Sequence, residues 1–171
     1  MKPALAPSVT PPSIRRNSRR VRYFLDTEYN GFGGALMSLA LVAEHGDEEL
    51  YFVLPAPDEY HPWVERNVVP YMNSVPPMHQ APPLDRDTAA HALATFLAND
   101  RDIEILADWP EDIAQFCMLL LTGPGEIVRT PPLRFRFVAL PGFSTAGASA
   151  VPHNALHDAR ALRDHVLSLE G

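Results

Sequence analysis

The stretch VRYFLDTE, residues Val21 to Glu28, decides how the rest of the chain is read. VRYFL is a short apolar and β-branched run of the kind that fills a buried strand. Two carboxylates, Asp26 and Glu28, follow with one residue between them. Strand side chains alternate between faces, so residues two apart leave the same side. A pair of acids on one face suits hard divalent cations, which take oxygen ligands and are commonly held by carboxylates plus substrate phosphate. Two later fragments belong with this one: ILADWPEDI, Ile105 to Ile113, and HNALHDA, His153 to Ala159.

Composition sets the bounds. A chain of 171 residues with 46% hydrophobic content fits a single domain with a proper core. No apolar run reaches the roughly 18 to 20 residues of a membrane span. The one cysteine, Cys117, lies in FCMLLL and reads as a buried thiol, with a reducing, cytoplasmic setting as the default. The net charge of −7 is uneven: Lys2, Arg15, Arg16, Arg19, Arg20 and Arg22 give the first 25 residues +6, leaving −13 for the rest. A broad basic surface for gripping a duplex is therefore not indicated.

Outward from the first strand, residues 1–20 read as a disordered, basic, Pro/Arg-rich tail, and residues 21–171 as one domain. The tail has no apolar core for a secretory signal; its Arg-bearing, acid-free composition is one that transit peptides share. NGFGG, Asn30 to Gly34, is a turn cluster that serves as a flexible connector beside the site. ALMSLALVAE and LYFVL continue as two more strands, which makes an antiparallel meander. The proline-rich segment from Pro55 to Pro83 holds a short helix near WVERNVVPYM. Its aromatics, Tyr60, Trp63 and Tyr71, could stack bases, but packing onto the core is the favoured reading. Asp87 reads as the N-cap of TAAHALATFLA, followed by the buried strand IEILA in a β-α-β crossover. A helix from Asp112 carries Ile113, Phe116, Cys117 and Leu120 at helical spacing, and GPG, Gly123 to Gly125, ends it. LRFRFVAL alternates as an edge strand. A loose Gly/Ser/Ala loop runs to Val151, and ALHDARALRDHVLSLE closes the chain as a helix burying Leu156, Ala159, Leu162, Val166 and Leu169.

This order of elements, with the three acidic fragments on it, resembles the DEDDh family of 3′-5′ exonucleases, which includes ribonuclease T, oligoribonuclease and proofreading exonucleases. The resemblance spans Arg22 to Leu169. It rests on Asp26-Thr27-Glu28 at a strand end and on His153 to Asp158 in the context HNALHDARA. The middle motif departs from the family, which carries an Asn and an aromatic-Asp pair where this chain has DWPED. Asp112 is the preferred middle ligand and Asp108 its rival. His157, Asn154 and Arg160 are given no catalytic role.

The resemblance implies an α/β, ribonuclease H-like fold: a mixed five-stranded sheet, part antiparallel meander and part parallel, flanked by helices. It implies that Asp26, Glu28, Asp112 or Asp108, and Asp158 hold two divalent cations, Mg²⁺ or Mn²⁺, and that His153 is general base on the attacking water. The expected activity is release of nucleoside 5′-monophosphates from a single-stranded 3′ end, RNA favoured over DNA, with no membrane partner and a homodimer left open. Two alternatives stand beside it: a catalytically impaired nucleic-acid-binding module, and another metal phosphodiesterase or endonuclease on the same fold.

Overall fold

The computed structural model describes residues 20–171. The tail proposed for the N-terminus therefore lies outside the described residues, except for Arg20, whose guanidinium reaches Glu104 at 3.2 Å. The chain runs β1 (Val21–Tyr29), β2 (Leu36–Ala43), β3 (Glu49–Val53), α1 (Pro62–Asn67), α2 (Arg86–Leu97), β4 (Ile103–Ala107), α3 (Pro110–Leu119), β5 (Leu121–Gly123), β6 (Glu126–Ile127), β7 (Leu133–Phe137), α4 (Thr145–Ala148) and α5 (Ala155–Glu170).

Five strands form one sheet in the order β3-β2-β1-β4-β7, antiparallel through β3, β2 and β1 and parallel from β1 through β4 to β7. The fold is thus α/β with a mixed sheet flanked by helices, and β1, the strand of the quoted stretch, is its centre. Alternation explains how β1 serves two layers. Tyr23 and Leu25 join the large core with Leu93 and Leu97 of α2 and Phe116 of α3. Phe24 faces the other way, onto Leu162 and Val166 of α5. Asp26 and Glu28 continue that second face. All eight residues of β2 are buried, because α5 covers one side and the α2–α3 layer the other.

Two hydrogen-bonded fixtures seat α5. Asn154 caps its first turn, accepting from the Leu156 and His157 amides, while its own amide donates to the Tyr71 carbonyl at 2.8 Å. Such a cap contributes about 1 kcal/mol. Arg160 grips Glu49 of β3 with two bonds of 2.7 and 2.6 Å.

Several local expectations need correction. Asp85, not Asp87, caps α2, accepting from the Thr88 amide at 2.9 Å. GPG does not end α3; the helix stops at Leu119, and the glycines turn the small β5–β6 hairpin. Cys117 is exposed rather than buried, because α3 turns Asp112, Phe116 and Leu119 inward and position 117 lies about 100° further round. Leu169 is 66% exposed, past the end of the stripe that α5 buries. The loop before α5 contains the short helix α4, capped by Ser144. No helix among the described residues is long and apolar enough to cross a membrane.

Candidate metal centre and aromatic cavity

Every acid singled out in the sequence arrives at one end of the sheet. Asp26 and Glu28 stand on the last half of β1, Asp108 follows β4, Asp112 lies in the first turn of α3, and His153 and Asp158 flank the start of α5. They form two triads. Asp26, Asp108 and Asp112 bring ligand atoms within 4.8 Å of one another, and Glu28, His153 and Asp158 do the same. Both triads line one cavity of about 260 Å³, which Thr145 and Ala146 of α4 also border. Asp108 and Asp112 are both in the first triad, so either can serve as its middle ligand.

Each side chain is held by a separate device. Thr27 sits on β1 between the two acids and points to the α3 side, where its hydroxyl donates to Asp112 Oδ1 at 2.6 Å and its amide to the same oxygen at 3.2 Å. That leaves Oδ2 of this 2%-exposed carboxylate for the cluster. Asp108 accepts from the Thr145 hydroxyl at 3.3 Å. The His153 amide donates to Asp158 Oδ2 at 3.2 Å, and His153 takes a left-handed backbone, φ 60°, to reach it. The other oxygen, Asp158 Oδ1, is buried with no hydrogen-bond partner among the described residues.

The electrostatics follow from burial of so many like charges. Desolvation, then Asp112, Glu28 and Asp158, pushes Asp26 well above the carboxylate range. Desolvation and the Asp158 charge lift Glu28 to about 8. Desolvation lifts Asp112 to about 7 against the opposing Thr27 bond. Asp158 rises to about 6 by desolvation, although the Ser149 hydroxyl and then the His153 amide resist it. Burial raises Asp108 and lowers His153, which favours the neutral imidazole. Among the described residues, no Lys or Arg lines the cavity. Acids that raise one another's pKa, a buried oxygen with no partner among the described residues and a lining there without Lys or Arg make a donor set that fits hard divalent cations.

A second cavity of about 510 Å³ adjoins the first and shares Thr27, Glu28, Tyr29, Trp109 and His153 with it. Its remaining wall is mostly aromatic and apolar. Trp63 was expected to pack onto the core; it is instead 45% exposed, with its ring edge-on to His153 at a centroid distance of 5.0 Å. Tyr71 is also exposed, and of the three only Tyr60 packs against a core cluster. Phe32 projects from the NGFGG turn, 93% exposed. That turn is pinned rather than free. Asn30 accepts from the His61 amide at 2.7 Å and donates to the Glu59 carbonyl, and the Gly33 amide donates to Glu111 at 2.7 Å. A Cβ at position 34 would lie 2.2 Å from the Asn30 carbonyl oxygen, which requires glycine there. His157 stays out of the cluster, its Nε2 against the Ser74 carbonyl.

The aromatic wall was not assigned from the sequence. Trp109 carried a signal, an aromatic inside the acidic DWPED fragment; Trp63 carried none, because its place depends on Asn30 docking a distant segment. Compared with protein-family models and with curated proteins, the chain matches none of them.

Proposed function

We propose that this protein is a metal-dependent 3′-5′ exonuclease of DEDDh type on a ribonuclease H-like fold, releasing nucleoside 5′-monophosphates from single-stranded 3′ ends. The observation that carries the reading is the pair of triads, Asp26–Asp108–Asp112 and Glu28–His153–Asp158, facing one small cavity. The sheet order and the adjoining aromatic cavity support it, since the latter gives a terminal nucleoside a place beside the acids.

Asp26, Glu28, Asp158 and Asp112, with Asp108 as the rival middle ligand, would hold two divalent cations, Mg²⁺ or Mn²⁺. Such ions supply an acidified water and charge compensation at the scissile phosphate. His153 takes the proton of the attacking water. Burial keeps its imidazole neutral and able to accept, the Trp63 ring edge flanks it, and the Asp158 bond fixes its backbone. Thr27 orients Asp112, and Asn154 orients the α5 turn that bears Asp158. RNA is favoured over DNA as substrate, the single cysteine makes a reducing, cytoplasmic setting the default, and a homodimer is compatible with the reading.

The test is a 5′-labelled single strand incubated with Mg²⁺ or Mn²⁺. A ladder shortening by one nucleotide at a time, with nucleoside 5′-monophosphates as product and a circular strand left intact, is expected. Absence of shortening under either cation overturns the proposal, and cutting of the circle replaces it with an endonuclease.

A further inference from the structure

Trp109 is unlike its neighbours in the middle motif. It lies between Asp108 and Pro110, at the N-cap of α3, with extended backbone and no side-chain cap bond. Asp, Asn, Ser or Thr at that position would satisfy a free helix amide, so tryptophan forgoes a stabilising contact. Its indole is 53% exposed. It borders both the acidic cavity and the aromatic one. Among the described residues the wall of the aromatic cavity holds no Lys or Arg to grip a phosphate, whereas a base and sugar meet Trp63, Tyr29 and Val64.

We infer that Trp109 is a substrate-binding residue whose indole stacks on the nucleobase attached to the phosphate lying over the carboxylates, in the cavity that Trp63 also lines. Pro110 at the first helical position restricts the backbone that presents the indole. A stacking wall accepts any base, because every base has a π-face. Trp109 therefore holds the terminal nucleoside without selecting its base. This inference rests on the nuclease reading for its substrate, but its test does not depend on turnover.

The chain has two tryptophans, so Trp63→Phe leaves Trp109 as the only indole reporter. Titrating that variant with AMP and with CMP in the presence of Mg²⁺ should give a saturable fluorescence change for both nucleotides. Trp109→Ala in the otherwise unaltered protein should raise KM for a labelled single strand roughly tenfold, the size of one lost base stack, with kcat little changed. Trp109→Phe should recover most of that loss, which a merely structural role would not produce. The indole is exposed, and an unchanged melting temperature for Trp109→Ala confirms that the fold persists. Strand shortening by the unaltered protein with no fluorescence change and an unaltered KM overturns the Trp109 assignment and leaves the nuclease standing. A saturable fluorescence change without any strand shortening upholds the stacking wall and overturns the nuclease.

Discussion

The Thr27 hydroxyl donates to Asp112 Oδ1 at 2.6 Å, across the sheet from the face that carries Asp26 and Glu28. One residue of β1 thus orients an acid of the triad that its neighbour Asp26 joins. Thr27→Val removes this bond and one of the two influences holding the Asp112 pKa down. Cation affinity or activity should fall about 10- to 100-fold, the usual cost of losing an orienting partner behind a ligand. Thr27→Ser should retain most of it. Mn²⁺ titration followed by calorimetry checks the first outcome, and the serine variant separates the hydroxyl from packing.

Asp158 Oδ1 is buried with no partner among the described residues, in a carboxylate whose other oxygen accepts from the His153 amide. Asp158→Asn should abolish strand shortening and, in metal-free protein, raise the melting temperature, because a costly buried charge is gone. Asp26→Asn should behave likewise. Loss of activity together with a lower melting temperature would mean that these acids serve the fold and not a cation.

The middle motif offers a direct competition. Asp112 is the more buried and is tied to β1; Asp108 is half-buried and tied to α4 through Thr145. Asp112→Asn should cost nearly all activity, whereas Asp108→Asn, whose amide oxygen still accepts from Thr145, should cost about tenfold or less. Steady-state rates of the two variants decide it. The reverse order would give the ligand role to Asp108.

The pairing of Asp26 with Glu28 was legible because a strand repeats every two residues and both its faces are covered. Asp158 was legible because the apolar stripe of α5 fixes which side of the helix faces the sheet. The choice between Asp108 and Asp112 was not, since they lie four residues apart on either side of one strand-to-helix junction and each finds its own partner. Trp63 was hidden because its position comes from long-range hydrogen bonds through Asn30, which leave no periodic trace. Cys117 and Leu169 lie at two margins of their stripes, one a step round α3 and the other past the covered part of α5. A helical stripe read from spacing does not reveal where the neighbouring layer ends.

Metal-free stability should fall as pH rises. Glu28 goes from about 4.5 unfolded to about 8 folded, while Asp112 and Asp158 go from about 3.8 to about 7 and about 6. The folded protein therefore keeps protons that the unfolded chain has released. The contribution is complete below pH ~4 and is lost as pH climbs through the three folded values. Melting temperatures measured in chelator should decline between about pH 5 and 8.5. Glu28→Gln should flatten the upper part of that decline. Added Mn²⁺ should stabilise the protein more at pH 8 than at pH 5.5, because protons compete for the same oxygens.

His153 gives the test that separates chemistry from cation binding. Its amide, not its ring, holds Asp158, so His153→Ala keeps that backbone bond and removes only the imidazole. Calorimetry should find Mn²⁺ binding little weakened, while kcat drops about 100- to 10,000-fold, the usual share of a positioned general base. Burial lowers the imidazole pKa, so the acid limb of the unaltered protein's rate profile should have its midpoint below 6.5, and the alanine variant should lose that limb. A variant that loses cations along with activity would assign His153 to the metal instead. An acid limb that survives in the variant would trace the proton to one of the carboxylates, with Asp158 at about 6 the first candidate.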